Sequence, residues 1–112
     1  GSESKTEFEA EFKLNGKEMS ANFDPQGKWL ETESELSPKE LPAAVATAVK
    51  TSNPGCAVKE AAKVETPAGT TFEVVIKMGK DGYELVLSPD GKLVKKVDLK
   101  EEKEDEEKEK QA

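Results

Sequence analysis

The chain has 112 residues, 24 acids against 17 basic residues, a net charge of −7 and 34% hydrophobic residues. That is enough for one domain with a modest core, and the acidic balance argues against nucleic acid or an anionic membrane surface as a partner. One cysteine, Cys56, and no histidine exclude an intrachain disulfide, a thiol–imidazole pair and a histidine-bearing zinc site.

Residues 1–5, opened by Gly1-Ser2, read as a cloning remnant with a flexible lead, so a natural leader would have been removed. The sequence shows no signal peptide and no apolar run of membrane-spanning length, so membrane insertion is not expected. From residue 6 to 14 the pattern alternates: Phe8, Ala10, Phe12 and Leu14 face one way, Glu7, Glu9, Glu11 and Lys13 the other. Period two with one apolar face predicts a half-buried strand. Asn15-Gly16 predicts a two-residue hairpin, because both positions tolerate positive φ. The return strand carries Met19, Ala21 and Phe23 inward, and Asp24-Pro25-Gln26-Gly27 predicts a second turn. A third strand follows from about Lys28 to Leu36. Its alternation puts Leu30, Thr32, Ser34 and Leu36 on one face, and Trp29, Glu31, Glu33 and Glu35 on the other.

Ser37-Pro38-Lys39-Glu40 has the form of a capping box with proline at the first helical position. Leu41, Ala44, Val45, Ala48 and Val49 then hold helical spacing, and Asn53-Pro54-Gly55 ends the helix. Pro42 removes a backbone donor, so the regular helix either loses one bond or starts there. A weaker strand over 57–65 is expected to turn Val58, Ala62 and Val64 to one side. Phe72, Val74, Ile76 and Met78 mark the strongest strand. Gly79-Lys80-Asp81-Gly82 returns it to Tyr83, Leu85 and Leu87, and Ser88-Pro89-Asp90-Gly91 leads into a last strand ending near Val97 or Leu99. The fold class is α+β: an antiparallel sheet of about seven strands, in the order β-β-β-α-β-β-β-β, with one helix packed on one face.

Residues 8–30 lie on residues 72–94 without a gap at a shift of 64, and six of the 23 pairs are identical. The unit is a meander used twice. Residues 6–97 form the domain. Residues 98–112 hold eight acids and four lysines and read as a solvated tail, either frayed or helical through its i,i+4 charge pairs.

The segments Leu41-Pro42-Ala43-Ala44-Val45, Ala48-Val49-Lys50, Pro54-Gly55, Val64-Glu65-Thr66, Gly69-Thr70 and Phe72-Glu73-Val74 resemble the PepSY-like family. So do the turns at Phe23-Asp24 with Gly27-Lys28, and at Asp90-Gly91-Lys92. That family is also described as β-lactamase-inhibitor-like and is common in Bacteroidetes. The resemblance spans roughly residues 6–97. It implies export to the periplasm or cell surface, repeats of one helix followed by four antiparallel strands, and no assigned catalytic residue or cofactor. The chain departs from the pattern in two places. It opens directly on a strand of the first repeat, and Asn53 stands where an aromatic usually precedes Pro54-Gly55.

Read residue by residue, the chemistry points to binding. No G-x-S-x-G, Walker or dinucleotide glycine motif occurs, and no enzyme activity is expected. The candidate partner-binding residues are Trp29, Glu31, Glu33, Glu73, Val75 and Val86, on the sheet face away from the helix, with Val94 joining them by alternation. The competing reading takes Trp29 over a sheet edge or into the core through a bulge. The expected partner is a protein or peptide. The alternative is a periplasmic small-ligand or cation-binding protein, motivated by the acidic faces. No cofactor is implied, and Cys56 reads as a packing residue. One helix covers three or four of seven strands, so Phe8, Phe12, Met19 and Phe23 are expected to lack cover. Either the sheet curls around the helix or a second chain supplies cover, with the acidic face and tail favouring the monomer.

Overall fold

The computed structural model describes residues 7–99. The lead and the charged tail beyond residue 99 lie outside the described residues, as do the readings made for them.

Seven strands form one antiparallel meander in sequence order. They are β1 (Phe8–Leu14), β2 (Lys17–Phe23), β3 (Trp29–Leu36), β4 (Ala57–Thr66), β5 (Gly69–Met78), β6 (Asp81–Leu87) and β7 (Leu93–Asp98). The helix α1 (Ala43–Ser52) lies between β3 and β4. Every connection joins neighbours in the sheet, which is why short turns suffice. Asn15 and Gly16 both take positive φ, 53° and 79°, as their two-residue turn requires.

The helical segment divides at its second proline. Pro38–Glu40 forms a single 3-10 turn, whose Glu40 carboxylate accepts the Ser37 N–H at 2.8 Å. Leu41 is extended, Pro42 caps α1, and the Ala46 N–H reaches the Pro42 carbonyl at 2.9 Å. The regular helix thus starts after Pro42, the position where proline's missing N–H costs nothing. At its end Asn53 is buried, and its side-chain amide donates to the Val49 carbonyl at 3.0 Å.

Val45 and Val49 form the helix's buried stripe, and the extended Leu41 just before it is buried with them. They pack with Ala61, Phe72, Val74, Ile76, Leu85 and Leu87. Leu36, Cys56, Val58, Met78 and Tyr83 lie around that cluster, so Cys56 serves as a packing residue. The core therefore sits between α1 and β4–β6. The register aligns Leu36, Ala61, Val74 and Leu85 across four strands on the helix side.

That side continues onto the first strands, where Ala21 is still buried and Met19 and Phe23 are half-buried, so the expected lack of cover holds for Phe8 and Phe12 alone. Phe8, Ala10 and Phe12 pair with Phe23, Ala21 and Met19, and Phe8, Phe12 and Leu14 remain 44–56% exposed.

Three register shifts alter what alternation predicts. The first, between Asn22 and Phe23, places Trp29 opposite Phe23. The last, between Val86 and Leu87, places Leu93 opposite Leu87. The middle one, between Val58 and Glu60, corrects the reading of β4. Val58 faces Ile76 on the helix side, whereas Ala62 and Val64 face Glu35 and Glu33 on the other. One extra residue inverts every side chain beyond it, so no single face holds all three.

Candidate functional site

The open side of the sheet, away from α1, is built by the half of each strand's alternation that points away from the helix. Glu9, Glu11 and Lys13 of β1 pair with Asn22, Ser20 and Glu18 of β2. Glu31 and Glu33 of β3 follow, opposite Asn22 and Ser20. Farther on, Glu33 faces Val64, Glu35 faces Ala62, Ala62 faces Glu73, and Glu73 faces Val86. Val75 sits between Glu60 and Glu84. The acids come from six strands because each contributes only its outward positions, and the meander lays those positions side by side.

This side holds a cleft of about 720 Å³. Eight glutamates line it (Glu9, Glu11, Glu18, Glu33, Glu35, Glu60, Glu73 and Glu84) with only Lys13 and Lys59 as cations. Val75, Ala62 and Ser20 supply its small apolar and neutral floor. The crowding has a titration signature. Partial burial, then the charges of Glu33 and Glu84 and a hydrogen bond with Glu84, push the Glu73 carboxyl up to about 7. Burial first, then Glu31, Glu84 and Glu9, raise Glu33 as well. Like charges held together in a partly dry groove oppose ionisation, so Glu73 and Glu33 keep their protons to higher pH than free carboxyls do.

Among the predicted site residues, Glu33, Glu73 and Val75 line the cleft, and Glu31 and Val86 share its face at cross-strand positions. Trp29 does not join them. The shift at Asn22/Phe23 turns it to the helix side, where its indole N–H donates to Thr32 Oγ1 at 2.7 Å. Thr32 lies opposite Ala21 on that side. The bulge thus decides between the two readings of Trp29 in favour of the second, although the residue stays 36% exposed beside Phe23 rather than buried in the core. Glu9, Glu11, Glu18, Glu60 and Glu84 belong to the cleft and escaped the sequence reading. Alternation assigns them to outward faces, but only the register brings those faces together. Val94 falls beside the β7 register shift, 62% exposed, while Lys95 takes the place opposite Val86.

Among the described residues, no group of three or more carboxylates or thiols converges to hold a metal ion. Likewise, no helix among them is long and apolar enough to cross a membrane.

The family model described as "Putative beta-lactamase-inhibitor-like, PepSY-like" matches residues 6–95. A BLIP-like protein from Bacteroides fragilis superposes with a TM-score of 0.77 at 30% identity, over 88% of this chain and 72% of that one. A DUF2874 family protein from Bacteroides uniformis matches at 0.79 and 22% identity, over 84% and 72% of the two chains. A protein from Bacteroides eggerthii, described as periplasmic in a provisional sense, matches at 0.78 and 20% identity, over 87% and 73%. The last two likenesses speak for the fold alone. No curated protein matches the chain. The chain belongs to the PepSY-like, β-lactamase-inhibitor-like family, and its seven-stranded sheet with one helix is the fold of these neighbours.

Proposed function

We propose that this PepSY-like chain is a non-enzymatic, exported binding module that holds a protein or peptide segment against the open side of its sheet. The observation that carries the reading is the cleft itself. Eight carboxylates against two lysines surround a groove floored by Val75 and Ala62. Such a surface selects a segment with lysine or arginine side chains flanking small apolar ones. The cations gain from carboxylates in a partly desolvated groove, and the valine floor adds apolar contact. Glu31, Glu33, Glu73, Val75 and Val86 form the proposed contact set, with Glu9 and Glu84 added. Inhibitor-like family membership supports a binding role and an exported setting.

The reading is tested with soluble peptides that alternate lysine with valine or alanine, titrated by calorimetry. The expected result is saturable binding, weakened at least tenfold by Glu33→Lys combined with Glu73→Lys, with the circular dichroism spectrum unchanged. Equal affinity for the folded double variant overturns the open side as the site. A second reading rests on the same crowding. A small cation or cationic metabolite would relieve the repulsion around Glu73 and Glu33. A thermal-shift panel of divalent cations and polyamines separates the two. A saturable shift with one of these small ions, and none with the peptides, favours the second.

A further inference from the structure

We propose, resting on the cleft reading above, that Lys59 makes the cleft select a segment of mixed charge. The bound segment sets the carboxylate of an aspartate or glutamate against Lys59, two or four residues from the lysine or arginine that meets Glu73 and Glu84.

Lys59 owes its place to the bulge in β4. A regular strand sends consecutive residues to opposite faces. Here the ladder passes from Val58 opposite Ile76 to Glu60 opposite Val75, and Lys59 is the extra residue between them. Lys59 and Glu60 therefore both line the cleft, although they are neighbours in sequence. A bulge of this kind re-aims a side chain, and this one sets a cation among glutamates.

That cation has no counter-charge of its own. Among the described residues Lys17 pairs with Glu40 and Lys63 with Glu65, while Lys59 pairs with no carboxylate. Lys13, the other cation of the cleft, stands opposite Glu18. No acid stands opposite Lys59, because the β5 residues beside it are Val75 and Ile76. Lys59 is exposed, so its three N–H donors are open to a ligand's acceptor.

The ladder sets the spacing. Glu60, Val75 and Glu84 succeed one another across β4, β5 and β6. Two strand spacings separate the Lys59 end of that row from Glu84 by about 10 Å. Glu73 lies diagonal to Glu84 on the neighbouring strand. One groove thus offers a cation, an apolar floor and a pair of acids in turn. Along an extended segment, side chains on one face repeat about every 7 Å. An acid and a base two or four residues apart, about 7 or 13 Å, bracket the span, and flexible lysine stems take up the difference. A segment of lysines alone brings an ammonium against Lys59, and that like charge weakens it relative to the mixed segment.

A mutant cycle tests this with the soluble lysine–valine peptides. Each peptide lysine is replaced in turn by glutamate, and every peptide is titrated by calorimetry against the wild type, Lys59→Ala and Lys59→Glu at one ionic strength. At one or two peptide positions the lysine-to-glutamate change should be roughly fivefold more favourable in the wild type than in Lys59→Glu, with Lys59→Ala between them. At the remaining positions the three proteins should agree within about twofold, since the general field of the cleft acts on all positions alike. Equal coupling at every position, with the peptides bound and circular dichroism showing the variants folded, overturns the role of Lys59 and leaves the cleft reading standing. Binding of none of the peptides overturns both.

Discussion

Glu73 lies diagonally across the β5–β6 ladder from Glu84, and their carboxyl groups share a hydrogen bond. Adjacent carboxylates bond in this way only when one of them keeps its proton. Folding holds that proton on Glu73 up to about 7, against an ordinary value of 4.5. Between those values the folded chain binds more protons than the unfolded one. Stability from this group therefore falls as pH rises through that window, and the loss is complete above it. Thermal melts near pH 5 and near pH 8 check this. Glu73→Gln keeps a neutral, hydrogen-bonding side chain and should raise the midpoint near pH 8 more than near pH 5. An equal change at both values sinks the argument.

Ionisation of Glu73 also changes the cleft's charge, so a cationic segment gains affinity as pH rises through about 7. The dependence should weaken in Glu73→Gln and in high salt, where exposed charges are screened within about one Debye length, ~3 Å at 1 M. Calorimetric titrations with the lysine peptides at matched ionic strength measure it. Affinity that is flat with pH would place binding away from Glu73.

Trp29 gives a negative control. The chain holds one tryptophan, and its indole is bound to Thr32 on the helix side. Trp29→Phe should leave peptide affinity within about twofold, a change worth roughly 0.4 kcal/mol. Intrinsic fluorescence should barely respond to saturating peptide. A large emission shift, or a tenfold loss in Trp29→Phe, would bring the tryptophan back to the binding face.

The difference between what the sequence revealed and what it concealed lies in the bulges. Each strand and turn followed from alternation and from pairs such as Asn15-Gly16, which act within a few residues. A bulge leaves no comparable mark. Nothing around Lys59 signals that Val58 and Ala62 end on opposite faces, and nothing around Phe23 signals that Trp29 leaves the face of Glu31. Those shifts are set by how neighbouring strands meet, a long-range matter. The cleft was half legible for the same reason. Glu33 and Glu73 were assigned correctly to one face, while the proximity of Glu84 and Glu9 depended on register across six strands.

Ile76 and Phe12 stand at equivalent positions of the 64-residue shift, yet one is fully buried under α1 and the other is 44% exposed. Covered and uncovered sheet should therefore respond differently to truncation. Ile76→Ala removes buried volume beside Val45 and Val74 and should cost about 2–5 kcal/mol. Phe12→Ala loses partial contact only and should cost less than about 1 kcal/mol in dilute solution. Urea melts of both variants decide the matter, and comparable losses would mean that the first strands carry cover of their own.

Gly91 joins the last hairpin to the helix. It takes φ of 92°, and a Cβ built on it would stand 2.7 Å from the Ala44 carbonyl oxygen and 3.5 Å from the Ala48 methyl. The turn is pinned from within by the Gly91 N–H to the Ser88 carbonyl and the Ser88 N–H to the Lys92 carbonyl, both at 2.9 Å. It therefore has little freedom to swing away from α1. Gly91→Ala meets two independent costs, a backbone conformation that alanine resists and a clash with main chain that cannot rotate aside. The expected loss is about 2–4 kcal/mol. Gly27 occupies the matching turn with φ of 85°, but its Cβ would meet nothing within 4 Å. Gly27→Ala thus carries the conformational cost alone, about 1–2 kcal/mol. Paired denaturant melts separate the two terms, and a Gly91→Ala loss no greater than that of Gly27→Ala would show that the hairpin does not seat against Ala44 in solution.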